Sequence, residues 1–428
     1  MPSAAVIVGF LQEIPQNLGV YAAGVSGYLR KGGPVLVVVA PGQGAQSPGF
    51  LTPWLDVPGV AERIEWLSLV SGVDLLAHGT TSDADTIRDT AIAQPLIVGA
   101  GLVTLLSLFP HPSAAFASIG AGAGHSVGEI TAAVGAGVLT AEQAMVFVRE
   151  RGNAMATAAV AAATGMAAVL GGDQEEVIAA AAAVGLTPAN INGAGQIVVA
   201  GTLAQIESFV APAGARVRAL EVAGAFHTEH MASAQSTLGR IGNAMSTHDP
   251  RIRLISNTDG QVVHDGRAVV RRLVSQVAQP VRWDLCMETM LDLGITAMIE
   301  IPPAGTLTNL AKRAMPGVDT LALKTPDDLP AAWKMIERHG MKSTIETSPT
   351  WRLVISPAKG IFIAADVTFA EGDSLQPHAH IGSIKTSREQ IPIHAPHGGV
   401  VIEWLVQDGD PVSPGAPLLR LHPTEQPA

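Results

Sequence analysis

The sequence has little cysteine and a deficit of basic residues. A single cysteine, Cys286, cannot form an intramolecular disulfide, and such cysteine usage is typical of a reducing compartment. Lys and Arg together number 26 against 37 Asp and Glu, so the net charge is −11. Bulk attraction to nucleic acid or to an anionic membrane surface is therefore not expected.

The N-terminal segment and the longest Ala-rich segment predict neither targeting nor membrane insertion. The first segment, "MPSAAVIVGFLQEIPQNLGV", has no basic n-region, and Gln12 and Glu13 interrupt it early. The Ala-rich residues 154–171 contain Thr157, Thr164 and Gly165, which favour a helix end and a loop over a membrane span. We expect a soluble, cytoplasmic protein with no membrane partner.

What is present is an ordinary globular composition with the pattern of an α/β body. The 428 residues are 47% hydrophobic and 15% charged, enough for two or three domains with their own cores. Residues 35–40, "VLVVVA", predict a buried parallel strand, and "PGQG" predicts the tight loop after it. Residues 115–121 predict a second strand, and the segment after Thr140 predicts a capped amphipathic helix.

Residues of about 166–225 change character and predict a small inserted module. They alternate strand, helix, strand, helix and strand, which is a split βαβ pattern inside the larger body. The body resumes at about 227 and continues to about 340. We therefore divide the chain into an extension of unknown role (1–33), a main domain (34–340), a linker (341–350) and a terminal module (351–424).

The terminal module contains an internal repeat. "EGDSLQPHAHIGSI" (371–384) matches "DGDPVSPGAPLLRL" (408–421) at an offset of 37 residues. Two similar halves of short strands with Gly-Asp turns predict a small β-sandwich with pseudo-twofold symmetry. The segment between the halves, "IKTSREQ", predicts a protruding hairpin.

A possible nucleophile stands in the segment "GAGHSVGEI" (122–130). Ser126 is flanked by Gly124 and Gly128, the G-x-S-x-G spacing of a sharp strand-to-helix turn. Bulky side chains at the two flanking positions would clash there. In a chain with 45 glycines, a loose Gly-rich turn is an equally good explanation of this motif alone.

Several separated segments of the main domain form one combined pattern. They are "PGQGAQ" (41–46), "GHSVGE" (124–129), "RERGNAM" (149–155), "NINGAGQIVVAGT" (190–202), "GAFHTEHM" (224–231) and "VSQVAQPVRW" (274–283). Together they resemble one family, that of the malonyl-CoA:acyl-carrier-protein transacylases, especially its actinobacterial members, over about residues 34–340. The resemblance implies a hydrolase-like α/β body with a ferredoxin-like insert. It implies malonyl transfer from malonyl-CoA to the phosphopantetheine thiol of acyl carrier protein, for fatty acid or polyketide synthesis, with no metal or bound cofactor.

The resemblance also implies roles for particular residues. Ser126 is the nucleophile, His227 is the general base, and the backbone N–H groups of Gln43 and Val127 form the oxyanion hole. Arg151 matches the family's arginine before glycine, and a buried guanidinium suits the free carboxylate of malonate.

Two further positions follow from the same resemblance. The backbone carbonyl of Gln276 orients the catalytic histidine, so no acidic third member is needed. Phe226 matches the bulky residue that malonyl-selective members have at this position. Gly224, in contrast, stands where related modules often carry a larger residue. His125 and Arg149 are expected to be structural and solvent-facing, respectively.

Docking of an acidic carrier protein on an acidic enzyme requires a local basic patch. The candidates are Arg271, Arg272, Lys312 and Arg313, and ordinary solvated helix faces are an equally good interpretation of them.

The terminal module resembles biotinyl/lipoyl carrier domains over about 351–422. That resemblance places Arg388 at the position of the modified lysine, and arginine cannot form the amide to biotin or lipoate. Lys385 stands three residues early. We expect an unmodified module that acts through its surface, by packing on the transferase or by holding a carboxylase or synthase partner.

Two other classes of protein remain open from sequence. A serine esterase on the same turn predicts an acidic residue bound to the histidine and no buried arginine in the pocket. A non-catalytic docking protein predicts replacement of Ser126 or His227, and both residues are present.

Overall fold

The computed structural model describes residues 34–109, 111–222, 224–340, 352–365, 369–370, 372–396 and 398–422. The chain divides into two compact units between residues 342 and 343. The predicted extension 1–33 and the predicted linker 341–350 lie outside the described residues. Each unit is described by itself.

The first unit contains two sheets and the helices that cover them. Its strands are β1 (Leu36–Ala40), β2 (Ala121–Gly124), β3 (Thr164–Gly171), β4 (Thr187–Gly193), β5 (Gln196–Thr202), β6 (Ala215–Ala219), β7 (Arg253–Ile255), β8 (Val262–Val263), β9 (Val281–Arg282), β10 (Ala297–Glu300) and β11 (Asp319–Ala322). Its helices are α1 (Val60–Ser71), α2 (Leu75–Thr80), α3 (Thr90–Leu108), α4 (Pro112–Ser118), α5 (Gly128–Gly135), α6 (Ala141–Ala159), α7 (Gln174–Ala183), α8 (Leu203–Ser208), α9 (Ala232–Ala244), α10 (Gly266–Ser275), α11 (Trp283–Asp292), α12 (Thr306–Ala314) and α13 (Leu329–His339). Short 3-10 turns occupy Thr52–Asp56, Thr86–Arg88, Glu229–Met231, Gln276–Ala278 and Pro326–Asp328.

The larger sheet has the order β11-β10-β1-β2-β7-β8 and is parallel except for β8 at its edge. Every residue of β1 is buried, because helices cover both faces of a parallel sheet. The parallel strand predicted from "VLVVVA" is therefore confirmed. The chain leaves the carboxyl ends of β1, β2 and β7 at the same edge, which is where open α/β sheets form their sites.

The strand predicted for residues 115–121 is wrong. Residues Pro112–Ser118 form the helix α4, and the strand β2 comprises only Ala121–Gly124. Pro112 stands in the first turn of α4, where its fixed φ and missing N–H favour helix initiation, and the alanines that follow favour helix over strand.

The helix predicted after Thr140 is confirmed as α6. Thr140 is its N-cap and forms a reciprocal capping box with Gln143. The predicted apolar face, which includes Met145 and Phe147, is buried. The same buried face carries Arg151 two turns later, so the packing that stabilises α6 also fixes the origin of that guanidinium.

The smaller sheet has the order β6-β3-β5-β4-β9. It contains the inserted module with one strand more than the sequence predicted, β4, which pairs antiparallel with β5. Both Gly193 and Gly195 have positive φ in the turn between these strands. The strand β9 belongs to the larger body and pairs parallel with β4, which ties the module to the body.

The helix α3 is long and apolar enough to cross a membrane by length and composition, but 72% of its most apolar window is buried inside the protein. It packs against α6 and α5 as a core helix.

The second unit consists of two four-stranded antiparallel sheets, with the orders β12-β19-β17-β14 and β16-β15-β13-β18. Its strands are β12 (Arg352–Ile355), β13 (Gly360–Ala364), β14 (Ser374–Leu375), β15 (His380–Lys385), β16 (Gln390–His394), β17 (Gly399–Trp404), β18 (Pro411–Val412) and β19 (Pro417–His422). Residues from both sheets, including Phe362, Ile384 and Leu418, form one apolar core. The pairs β14 and β18, and β15 and β19, repeat at the 37-residue offset seen in sequence.

Candidate active site

Ser126 lies on a sharp turn between β2 and α5. Its φ is 52°, a conformation that non-glycine residues rarely adopt. A Cβ on Gly124 would lie 2.0 Å from the carbonyl carbon of Gly128, and a Cβ on Gly128 would lie 2.2 Å from the oxygen of Ala40. Both flanking glycines are therefore required by the close approach of β1, β2 and α5, which excludes the loose-turn explanation of the motif.

His227 faces this serine. Its Nε2 lies 2.8 Å from Ser126 Oγ, and its Nδ1 lies 2.8 Å from the backbone oxygen of Gln276. A carbonyl oxygen only accepts, so Nδ1 carries the proton and donates it to Gln276. Nε2 is then the acceptor, and the Ser126 hydroxyl donates to it. No carboxylate takes part in this contact.

The environment of His227 keeps its imidazole neutral. The side chain is 4% exposed, and burial lowers its pKa to about 3, with a further lowering from the charge of Arg151. A neutral imidazole at neutral pH can accept the serine proton.

Arg151 places a buried cation beside the same hydroxyl. It is 1% exposed, and its Nη2 lies 3.3 Å from Ser126 Oγ. Nη1 donates to Oε1 of Gln94 at 2.7 Å, and Nη2 donates to Oε1 of Gln276 at 3.0 Å. Burial lowers its pKa to about 10, so the guanidinium remains charged at neutral pH. Arg149 instead pairs with the adjacent Glu150 at 2.8 Å and is about one-third exposed, as the sequence predicted.

Two neutral acceptors thus bind the guanidinium, and no carboxylate of the described residues bonds to it directly, although the charge of the buried Glu129 acts on it from beyond Gln276. An anionic ligand that enters beside Ser126 would meet a cation with no directly bonded counter-ion.

The loop after β1 reaches the turn that carries Ser126. A Cβ on Gly42 would lie 3.0 Å from the ring and the backbone oxygen of His125, so this approach also requires glycine. The side chain of Gln43 donates to the oxygen of Arg88 at 3.1 Å. The backbone N–H groups of Gln43 and Val127 donate to no acceptor within the described part of the chain.

His125 points away from the serine. Its Nε2 lies 2.8 Å from Oδ1 of Asn192, and its ring lies 5.7 Å from that of Trp283. This contact joins the inserted module to the turn. The structure thus places His125 in a supporting position, as expected from sequence.

Phe226 is 7% exposed and packs in the main core next to His227. A Cβ on Gly224 would lie 2.7 Å from the Cβ of Ala159. The close approach of α6 therefore explains why Gly224 stands where related modules often carry a larger residue.

Sequence reasoning missed three polar residues of this site: Gln94, Glu129 and Asn257. Asn257 Oδ1 accepts from the N–H of Ser126 at 2.7 Å, and its Nδ2 donates to the oxygen of Gly124 at 2.6 Å. Glu129 stands inside the "GHSVGE" segment, so the motif contained a signal for it. Gln94 and Asn257 are separated from Ser126 by 32 and 131 residues and carry no such signal.

The four candidate docking residues lie on two helices. Arg271 and Arg272 are on α10, where Arg272 pairs with Asp259 at 2.6 Å and Arg271 lies 3.7 Å from Asp265. Lys312 and Arg313 are in the last turn of α12 and form no ion pair within the described residues. The helix α10 packs on α9 and α5, whereas α12 packs on β10 and β11.

In the second unit, β15 and β16 form the predicted hairpin. Lys385 pairs with Gln390 at the end of the strands. Arg388 stands in the turn, where its N–H donates to Oγ1 of Thr386 at 3.2 Å. The described residues contain no group of three or more His, Cys, Asp or Glu side chains placed to hold a metal ion.

Comparison with known proteins gives consistent results for the first unit. A family model for the acyl transferase domain matches residues 39–325. The malonyl CoA-acyl carrier protein transacylase of Mycobacterium tuberculosis is 47% identical over 302 residues, which is 69% of this chain and 98% of that protein. The enzyme of the same name from Bacillus subtilis is 30% identical over 309 residues, 70% of this chain and 96% of that protein.

Solved structures agree. The crystal structure of the transacylase from Mycobacterium tuberculosis superimposes with a TM-score of 0.67 at 46% identity, covering 70% of this chain and 99% of that one. A malonyl-transacylase in complex with a type II polyketide synthase acyl-carrier protein gives a TM-score of 0.65 at 28% identity, covering 70% of this chain and 99% of that one.

Proposed function

Because this chain belongs to the malonyl-CoA:acyl carrier protein transacylase family, we propose that it transfers malonyl from malonyl-CoA to an acyl carrier protein through an ester of Ser126. One observation supports malonyl as the acyl group independently of the family resemblance. Arg151 is a fully buried cation whose Nη2 lies 3.3 Å from the nucleophile hydroxyl. A buried cation with no directly bonded carboxylate suits an anionic ligand, and malonyl differs from other short acyl groups by its free carboxylate.

In the first half-reaction, the proton of Ser126 Oγ passes to Nε2 of His227 as Oγ attacks the thioester carbonyl. The N–H groups of Gln43 and Val127 stabilise the oxyanion that forms. The carbon–sulfur bond then breaks, and the leaving CoA sulfur takes the proton from His227. Malonyl-Ser126 and free CoA thiol remain.

In the second half-reaction, His227 accepts the proton of the phosphopantetheine thiol as that sulfur attacks the ester carbonyl. The bond to Ser126 Oγ breaks, and Oγ recovers its proton from His227. Each half-reaction uses only side chains and backbone groups of the protein and the substrate thiols, so no bound cofactor or metal enters it. The backbone oxygen of Gln276 holds the imidazole in the required tautomer throughout.

Acyl selectivity follows from two contacts. Arg151 binds the malonyl carboxylate bidentately. Phe226 crowds a methyl branch at the substrate α-carbon and so favours malonyl over methylmalonyl.

A serine esterase is the alternative function, and two features of the site disfavour it. An esterase triad needs a carboxylate on the histidine, whereas Nδ1 of His227 binds a backbone carbonyl. An esterase pocket for neutral acyl groups gains nothing from a buried arginine, whereas Arg151 is 1% exposed.

We also propose that the first unit has the fold that the family resemblance implies. We assign the parallel sheet around β1 to a hydrolase-like body, supported by the strand–turn–helix position of Ser126. We assign β3–α7–β4–β5–α8–β6 to a ferredoxin-like insert, supported by that order of elements.

We further propose that the reaction takes place in the cytoplasm, where a chain with a single buried cysteine stays reduced.

For the second unit, we propose a biotinyl/lipoyl-like module that carries no prosthetic group. Its support is the pair of four-stranded sheets, the repeat at 37 residues and the presence of Arg388 in the hairpin turn. The module then acts through its surface, on a carboxylase or synthase partner.

Incubation of the full chain with radiolabelled malonyl-CoA tests the function. We expect covalent label on the protein that is discharged by holo acyl carrier protein but not by the apo form, which lacks the thiol. Ser126→Ala should take no label, while Ser118→Ala, in the helix before β2, should label normally. Label that persists in Ser126→Ala, or discharge to water at the same rate as to the carrier, would contradict the proposal.

A further inference from the structure

The mechanism leaves one buried ionisable group of the site unused, the carboxylate of Glu129. It is 5% exposed and stands in the first turn of α5, three residues after the nucleophile. Its Oε1 accepts from the backbone N–H of Asn257 at 2.6 Å, and its Oε2 accepts from Nε2 of Gln276. Burial of a carboxylate costs free energy unless hydrogen bonds or nearby opposite charges compensate for the lost hydration.

One of these oxygens supports the nucleophile. The Asn257 backbone that Glu129 holds carries the side chain that binds both the N–H of Ser126 and the oxygen of Gly124. The conformation of the turn, with its positive φ at Ser126, therefore depends on the position of Asn257.

The other oxygen controls the side chain of Gln276. That amide bridges Glu129, which can only accept hydrogen bonds, and Arg151, which can only donate them. Only one orientation satisfies both, with Nε2 toward Glu129 and Oε1 toward Nη2 of Arg151 at 3.0 Å. The backbone oxygen of the same residue binds His227.

We propose that Glu129 is a positioning residue that orients the Gln276 amide toward Arg151 and thereby holds the guanidinium for acyl groups that carry a carboxylate. This inference rests on the proposed function. It concerns the selectivity for malonyl, whereas Ser126 and His227 carry out the chemical steps.

Loss of the negative charge on Glu129 would reverse the amide. The backbone N–H of Asn257 still needs an acceptor, so we expect a neutral carboxyl to direct its O–H toward Gln276 rather than toward the hydroxyl of Ser256, the other polar side chain beside it. That O–H needs an oxygen, so the amide turns by half a revolution, gives up its 3.3 Å hydrogen bond to Oδ1 of Asn257 and points its NH₂ group at Arg151. Two donors then face each other, and the guanidinium keeps Gln94 as its remaining amide acceptor.

The charge state of Glu129 is sensitive to pH near neutrality. Burial raises its pKa to about 7, while the N–H of Asn257 and the positive charges of Arg151 and Arg272 act in the opposite direction. The buried thiol of Cys286, whose pKa is raised by burial, also lies within electrostatic reach of this carboxylate. The carboxylate is therefore present above this pKa and lost as pH falls through it.

Glu129→Gln tests the proposal, because its amide must offer oxygen to Asn257 and NH₂ to Gln276, which imposes the reversed orientation at every pH. Malonyl and acetyl transfer from the CoA thioesters to Ser126 are measured from mildly acidic to mildly alkaline pH. We expect the KM for malonyl-CoA to rise by about 10- to 100-fold, the loss typical of a hydrogen bond to a charged group, with acetyl transfer little changed. The ratio of malonyl to acetyl transfer should decline on the acid side in the parent protein, and Glu129→Gln should remove this decline.

The matched control is Glu150→Gln, the same substitution beside Arg151 in sequence, where the carboxylate pairs with Arg149 instead. It should leave the ratio unchanged. If Glu129→Gln does not fold, as judged by thermal melting, the pH profile of the parent protein decides, and a ratio that is constant across neutrality overturns the inference. A folded Glu129→Gln with the parent ratio also overturns it. Failure of the parent protein to label at Ser126 would instead refute the proposed function.

Discussion

Replacement of Arg151 by alanine should convert the enzyme from malonyl to indiscriminate short-acyl transfer. The guanidinium is 1% exposed and holds its position through Gln94 and Gln276, with Nη2 directed at the nucleophile. Removal leaves a cavity with two neutral acceptors and no cation. A malonyl carboxylate that enters this cavity loses its hydration without gaining a charged partner. An acetyl group has no charged end and does not incur this cost.

The expected size follows from the burial. Loss of one member of a buried charge pair costs about 3–5 kcal/mol, which corresponds to a loss of roughly 10²- to 10³-fold or more in kcat/KM for malonyl-CoA. Acetyl transfer is affected in the other direction. The charge of Arg151 lowers the pKa of His227, so its removal raises that pKa and makes the imidazole a stronger base. We expect acetyl transfer to stay within about tenfold of the parent rate, with its acid limb moved to higher pH.

The assay compares acylation of Ser126 by malonyl-CoA and acetyl-CoA under single-turnover conditions, so that carrier docking does not enter. Arg149→Ala is the matched control, because that arginine lies on the same helix but pairs with Glu150 at about one-third exposure. An equal loss for both acyl groups in Arg151→Ala, with Arg149→Ala unaffected, would show that Arg151 only supports the fold and would refute the selectivity argument.

Three further outcomes are expected. Gly124→Ala should destabilise the main domain by at least about 4 kcal/mol, because its methyl would lie 2.0 Å from a backbone carbonyl carbon, and urea unfolding measures the loss. Charge reversal of Lys312 and Arg313 should raise the KM for acyl carrier protein but not for malonyl-CoA, with added salt acting in the same way, and an unchanged KM would retire this docking patch. Co-expression with biotin and lipoate ligases should leave the intact mass unchanged, since Arg388 occupies the hairpin turn, and a mass increase that disappears in Lys385→Arg would contradict this.

Local sequence determined the elements whose signals are contained within a few residues. The continuous apolar segment of β1 predicts a strand buried on both faces, and the capping box of Thr140 predicts the start of α6. The repeat at 37 residues likewise predicts the paired strands of the second unit. The same reasoning failed at residues 115–121, because small residues are compatible with a crowded strand and with a helix, and Pro112 with the alanines after it favoured the helix.

The separated motifs predicted which residues would meet, because a family pattern records tertiary contacts that the spacing alone does not show. The structure brings Ser126, His227, Arg151 and the Gln276 carbonyl within hydrogen-bond reach of one another along a chain of contacts. It also shows why Gly124 is needed, which the motif could only suggest.

Only the tertiary structure revealed how the charges of the site are compensated. Gln94 and Asn257 are polar residues of common types that belong to none of the quoted motifs, and Glu129, although it ends the "GHSVGE" segment, shows its partners only in the folded chain. They matter because α3, α5 and the end of β7 converge behind Ser126, where water is excluded. There, every donor must find an acceptor on another element, and which amide end faces which charge depends on all of these elements at once.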